Sequence, residues 1–234
     1  RPEGIASGNL MLVGRDPDLA RLAAHLTGLA AGRGGTVLLL GDAGIGKSRL
    51  LVEAEALPAA ETVTVIHATA ASAGTTEGEP RLLARLFTAC AGANAIPPPT
   101  VEGIAARIVE VLAARSAERP IAVLLDDVHR ADPASLALLP HLADRLAHRP
   151  VLFVVAIRPE ADDAPDALRH TLAPMLVDTI RLEPLADEES RRLIDAAAGE
   201  PLSEESRALI LAYAKGRPGR IIRGLLKAVT ASPP

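Results

Sequence analysis

Gly41, Gly46, Lys47 and Ser48 stand at the spacing G-x-x-x-x-G-K-S, in the stretch Gly41-Asp42-Ala43-Gly44-Ile45-Gly46-Lys47-Ser48-Arg49. Glycines let a backbone wrap closely around an anion, and successive N–H groups at a helix start hold its charge. A lysine at this spacing reaches β- and γ-phosphates, and the hydroxyl after it ligates Mg²⁺. The chemistry implied is binding of a nucleoside triphosphate with its magnesium ion, by Gly41 through Arg49. A second constellation is the acidic pair Asp126-Asp127, which ends an apolar run. Asp126 is expected to hold Mg²⁺, through its water shell or jointly with Ser48. Asp127, just past the run, is placed to polarise an attacking water. Arg158 closes another apolar run, and a permanently charged, bidentate guanidinium suits sensing of the γ-phosphate.

These side chains need a scaffold that gathers them. The spacing predicts strands at 36–40, 62–68, 120–127, 151–157 and a weaker one at 178–182. The third and fourth are almost wholly apolar, the pattern of parallel strands buried on both faces. Helices are expected between them: one carrying Leu19, Leu22, Ala23, Leu26 and Leu29 on one face, then 48–57, 81–91, 101–116 and 133–148. Asp16 is read as the cap of the first, with Pro17 in its opening turn. This alternation argues for an α/β fold, a doubly wound parallel sheet of about five strands. From Pro184 onward the strand signal stops, and 187–198, 203–215 and 219–230 read as a helical lid. The expected division is a lead-in at 1–11, a core at 12–183 and a lid at 184–234, with 71–80 a mobile loop.

Other polar residues carry less. His67, His129 and His141 lack metal-ligand spacing and read as structural or exposed, although His129 lies close to the acidic pair. Cys90 falls on an apolar helix face, and Arg81 with Arg85 reads as a solvated face. Pro218 suits the start of the last helix.

Composition narrows the function further. Aromatics are 1% of the 234 residues, and Phe87, Phe153 and Tyr213 are all the chain offers for stacking bases. The net charge of −4 shows no basic footprint, so direct nucleic-acid binding is not expected. A single cysteine excludes an internal disulfide and fits a reducing cytoplasm. No apolar run approaches the ~18 residues of a membrane span, so no membrane partner is expected. A chain beginning at Arg1 reads as a piece of something longer.

Together these motifs resemble a STAND-class signal-transduction ATPase module, a branch of the AAA+-related P-loop ATPases. The chain is similar to the ATPase domains of large bacterial regulators of the MalT-like LuxR type and of the SARP type. The resemblance runs from Leu12 to about Val229: Leu12-Val13-Gly14-Arg15, the phosphate loop, Val123-Leu124-Leu125-Asp126-Asp127, Arg158 and the Gly-x-Pro of Gly216-Arg217-Pro218. It implies that Val13, Gly14 and Arg15 line the adenine and ribose side and that Pro218 presses the lid onto the base. It implies ATP and Mg²⁺, slow intrinsic hydrolysis involving Lys47, Asp127 and Arg158, and self-association in the ATP state. Effector and sensor domains would lie elsewhere in the same polypeptide. Two departures stand out: Pro17 separates Asp16 from Asp18, and Gly219-Arg220 follows the Gly-x-Pro in place of a hydrophobic helix start. No second arginine is evident to act within the site. The competing readings are an AAA+ loader or remodeller, and a scaffold that holds ADP without hydrolysing.

Overall fold

Three uninterrupted apolar runs become the inner strands of a five-stranded parallel sheet: β1 (Gly35–Leu40), β3 (Ile121–Asp126) and β4 (Val151–Ile157), with β2 (Thr64–Thr69) and β5 (Leu176–Arg181) at the edges. The computed structural model describes residues 12–70, 81–159, 163–198 and 202–231, so the expected lead-in at 1–11 and loop at 71–80 lie outside the described residues. The spatial order is β2-β3-β4-β1-β5. Buried neighbours on both faces select the apolar composition of β3 and β4, while β2 and β5 leave alternate side chains more open.

Side chains on successive strand positions point to opposite faces, and each face has its own helices. Leu38, Val123, Phe153 and Val155 pack with Leu83, Leu86, Ile108, Leu112 and Leu142. These come from α3 (Arg81–Ala91), α4 (Val101–Glu118) and α5 (Pro133–Arg145), with α6 (Asp163–Leu172) beside them. Val37, Leu39, Leu124 and Val154 meet Leu22, Leu26, Leu29, Leu50 and Leu51 on the other face, from α1 (Asp16–Ala30) and α2 (Lys47–Glu55).

Helix ends mostly follow the expected chemistry. Asp132 caps α5 by accepting from the Ser135 N–H at 2.8 Å and the Ser135 hydroxyl at 2.8 Å. Asp16 does not cap α1. It is the first helical residue, Arg15 takes the cap position, and Asp16 and Asp18 instead place negative charge at the positive end of the helix. The second strand starts later than expected because Pro58–Thr62 forms a 3₁₀ turn that consumes Thr62. Arg85 is more than a solvated charge: its Nη1 donates to the Thr69 carbonyl at 2.9 Å, tying α3 to the end of β2.

Beyond the sheet, α7 (Asp187–Ala198), α8 (Glu204–Ala214) and α9 (Pro218–Ala231) build a separate small core around Leu193, Ile194, Ile210, Ile221 and Leu225. Val13 belongs to this core, so the segment before α1 is packed into the C-terminal helices. Among the described residues no helix is long and apolar enough to cross a membrane.

Candidate functional site

All five strands run the same way, so the ends of β1, β4 and β3 open on one edge of the sheet in that order. The phosphate loop leaves β1, Arg158 follows β4, and Asp126-Asp127 ends β3. Placing β4 in the middle sets Arg158 between the loop and the acidic pair. The Gly41 N–H donates to Ile157 O at 3.3 Å and anchors the loop to β4.

Gly46 precedes α2 with φ +108°, and the first N–H groups of the helix have no acceptor within it. Lys47 is buried, and its Nζ donates to Gly41 O at 2.7 Å and to Asp42 O at 3.1 Å. Burial lowers the Lys47 pKa, opposed by the charges of Asp127 and Asp126. Asp126 is buried, and its Oδ1 accepts from the Asp127 N–H at 2.8 Å. Asp127 itself is left-handed, φ 52°, a conformation aspartate tolerates better than most residues. That reversal begins a 3₁₀ turn, Val128–Arg130.

These elements enclose a cavity of about 460 Å³, within the range of small-molecule sites. Its walls include the expected Val13, Arg15, Ala43, Gly44, Ile45, Gly46, Lys47, Ser48, Arg49, Asp127, Arg158 and Pro218. Gly14, Gly41, Asp42 and Asp126 are not on the wall. Gly14 lies against the Glu189 carboxylate. The Asp42 carboxylate accepts from Arg217. Arg15 is on the wall, but its guanidinium is turned to structural work. Its Nη2 donates to Ile45 O at 3.0 Å and Glu183 O at 2.7 Å, and its Nη1 lies 3.6 Å from Asp18. Burial lowers the Arg15 pKa, against the nearby carboxylates.

Five wall residues stand outside the expected site set: Leu12, His129, Leu193, Gly219 and Ile222. Leu193, Gly219 and Ile222 come from the C-terminal helices. His129 corrects its reading as structural or exposed: it lines the cavity, and its Nδ1 is buried without a hydrogen-bond partner. Burial lowers its pKa, more than Asp127 raises it. The available clue was its position three residues after Asp126. Cys90, by contrast, is core as expected, its thiol pushed by burial up to about 11.

The donor set fits a polyanion with a hard cation. Arg158 Nε and His129 Nδ1 are buried on the wall without partners, while Arg15 and Arg49 leave Nε unpaired but engage their Nη groups with Ile45, Glu183 and Glu53. Buried polar groups of this kind call for a partner with several acceptors. The Ser48 hydroxyl and Asp126 carboxylate are oxygen donors of the kind Mg²⁺ takes.

Against known proteins, a family model described as AAA ATPase domain matches residues 11–155. The chain belongs to the AAA ATPase domain family. The matched part of this AAA ATPase domain contains the phosphate loop and Asp126-Asp127, and ends before Arg158 and the C-terminal helices. An uncharacterized protein of Rhizobium meliloti (strain 1021) is 28% identical over 228 residues, covering 79% of this chain and 22% of that protein. The fold is similar to the Aeropyrum pernix ORC1 protein solved with DNA, with TM-score 0.68 and 20% identity over 96% of this chain and 63% of that one. It is similar to Cdc6p from Pyrobaculum aerophilum, with TM-score 0.66 and 17% identity over 99% and 64%. It is also similar to the Thermotoga maritima RuvB Holliday junction branch migration motor, with TM-score 0.56 and 18% identity over 94% and 65%. The AAA ATPase domain thus spans under two thirds of these structures and about a fifth of the Rhizobium protein.

Proposed function

We propose that this AAA ATPase domain is an ATP-binding, slowly hydrolysing switch of a signal-transduction regulator, with residues 12–183 as core and 184–234 as lid. The observation that carries the reading is a shared wall. Leu193, Pro218, Gly219 and Ile222 face the same cavity as the phosphate loop. A ligand touching both bodies favours one arrangement by its differential affinity. Lys47 neutralises β- and γ-phosphate charge, and Arg158 reports the γ-phosphate. Ser48 and Asp126 would hold Mg²⁺, which would supply charge neutralisation at the phosphoryl oxygens. Asp127, on the wall, orients the attacking water and takes up its proton. Val13, Pro218 and Ile222 offer an apolar side for the base.

Turnover should be slow in isolation. Arg15 is bonded to backbone carbonyls and Arg49 is paired with Glu53, so neither is free to swing onto the transferring phosphoryl group. An added arginine there is worth roughly 10³–10⁵ in rate, and self-association in the ATP state would supply one.

A second reading, a loader or remodelling ATPase acting on DNA, is favoured by the fold likeness to ORC1 solved with DNA and to the RuvB motor. The net charge of −4 speaks against DNA as a direct ligand of these residues. The test is to denature the purified protein, identify any released nucleotide by chromatography, and measure ATP binding by the parent and by Lys47→Ala. About one ADP per parent chain, with binding lost in the variant, supports the switch. DNA-stimulated sustained turnover moves the assignment to the remodelling class. A parent with no nucleotide and no affinity for ATP overturns both.

A further inference from the structure

Residues 216–219 each have a separate contact: Gly216 is held within the C-terminal part, against Leu185, while Arg217 and Gly219 join the C-terminal helices to the core. Gly216, at φ +69°, accepts through its carbonyl from the Leu185 N–H at 2.8 Å, and a Cβ there would come within 2.4 Å of Leu185 O. Arg217 reaches across the chain to the Asp42 carboxylate. Pro218 opens α9 on the cavity wall. The Gly219 N–H donates to Gly44 O at 2.8 Å, and a Cβ on Gly219 would meet Gly44 Cα at 2.9 Å, so glycine alone permits this backbone-to-backbone approach.

We propose that the Asp42–Arg217 pair, with the Gly44–Gly219 contact beside it, is a clasp that sets how long nucleotide stays in the cavity. The claim rests on the nucleotide-binding reading above. Asp42 is suited to this by its two attachments. Its carbonyl accepts from Lys47 Nζ at 3.1 Å, and its carboxylate holds Arg217. One residue therefore links the phosphate-reaching lysine to the helices that close the opposite wall. The side chains are 28% and 27% exposed, so water weakens their attraction less than at an open surface. A ligand walled in by both bodies leaves when they part, and parting breaks the clasp. Asp42 and Arg217 are positioning residues in this account, acting through the lid.

The experiment is a double-mutant cycle on the whole chain, with Arg217→Gln, Asp42→Asn and both together, following release of a fluorescent ADP analogue chased by excess ADP. Coupled neighbours interact enough to change an equilibrium by factors of about 2 to 150. Each single variant should speed release about 5- to 20-fold, and the pair no more than the faster single. Arg217→Lys should keep most of the slow release. Added salt should speed release from the parent more than from Arg217→Gln. Hydrogen exchange at residues 216–222 gives a reading without nucleotide, faster in each single variant and no faster in the pair. Single effects that multiply in the double variant, or release and exchange like the parent's in Arg217→Gln, overturn the clasp. A parent that binds no analogue while exchange shows the coupling refutes the nucleotide reading and the residence claim, leaving only a lid contact.

Discussion

Replacing Arg15, a residue only 5% exposed, by alanine removes a guanidinium that serves two carbonyls from distant segments, Ile45 in the phosphate loop and Glu183 after β5. The Ile45 carbonyl, in a buried bond, costs about 1–3 kcal/mol when left without a donor, while water can replace the donor at exposed Glu183. Removing the charge also removes its own desolvation cost, the effect that lowers the Arg15 pKa, and this offsets part of the loss. A net destabilisation of about 1–3 kcal/mol follows, and at roughly 2–4 °C per kcal/mol for a chain of this size the melting temperature should fall by roughly 2–12 °C. Arg15→Lys retains a charge but cannot span both carbonyls with a rigid fork, so it should fall between parent and alanine variant. Calorimetry and urea unfolding without nucleotide are the assays, because the argument concerns the protein's own contacts. A loss below about 0.5 kcal/mol, the range of ordinary surface changes, would refute the strut role and return Arg15 to a purely ligand-facing one.

Gly219→Ala improves helix propensity by up to about 1 kcal/mol but forces a Cβ against Gly44 backbone at 2.9 Å. Melting temperature should therefore change little while the dissociation constant for ADP, measured by titration calorimetry, rises about 10-fold, the scale of one lost hydrogen bond with some overpacking. Asp127→Asn should leave ATP affinity within a few-fold of the parent and slow single-turnover hydrolysis by roughly 10²–10⁴; hydrolysis at the parent rate would remove Asp127 from its assigned role. His129 has a lowered folded pKa, so between its unfolded value near 6.5 and that lower value the unfolded chain binds the extra proton. Stability should then fall as pH drops below about 6.5, and His129→Gln should flatten this part of a melting-temperature profile. An unchanged profile would show that His129 titrates alike in both states.

What could be read from the sequence had local physics behind it. The phosphate loop announces itself because glycines, lysine and serine must follow one another along a single turn into α2. Leu124 and Val154 belong to inner strands, where burial on both faces demands continuous apolar runs, so β3 and β4 were legible nearly to the residue. Thr62 was misread as strand because a turn beginning at Pro58 competes for it, and Asp16 as a cap because the helix starts one residue early. Leu193 and Gly219 escaped for a different reason. They are wall residues only because segments far apart in the chain meet at one sheet edge, and no short window contains that meeting, whereas His129 had a local clue in the acidic pair just before it. The Gly-x-Pro departure at Gly219 was visible as a departure, but its cause, the nearness of Gly44, exists only in three dimensions.

The strand order also bears on how the molecule comes to exist. β1, which carries the phosphate loop, pairs with β4 on one side and β5 on the other, Gly35 opposite Leu152 and Thr36 opposite Leu176. Neither neighbour has been synthesised when β1 leaves the ribosome. Its sheet hydrogen bonds wait until more than a hundred further residues have emerged, and pairing across such separations is slow to form. During that interval Val37-Leu38-Leu39-Leu40 is an apolar segment without a partner, a natural client for chaperones that shield nascent chains. A chain stopped before residue 151 would carry the whole phosphate-loop motif and still have no strand beside it to hold the loop in place.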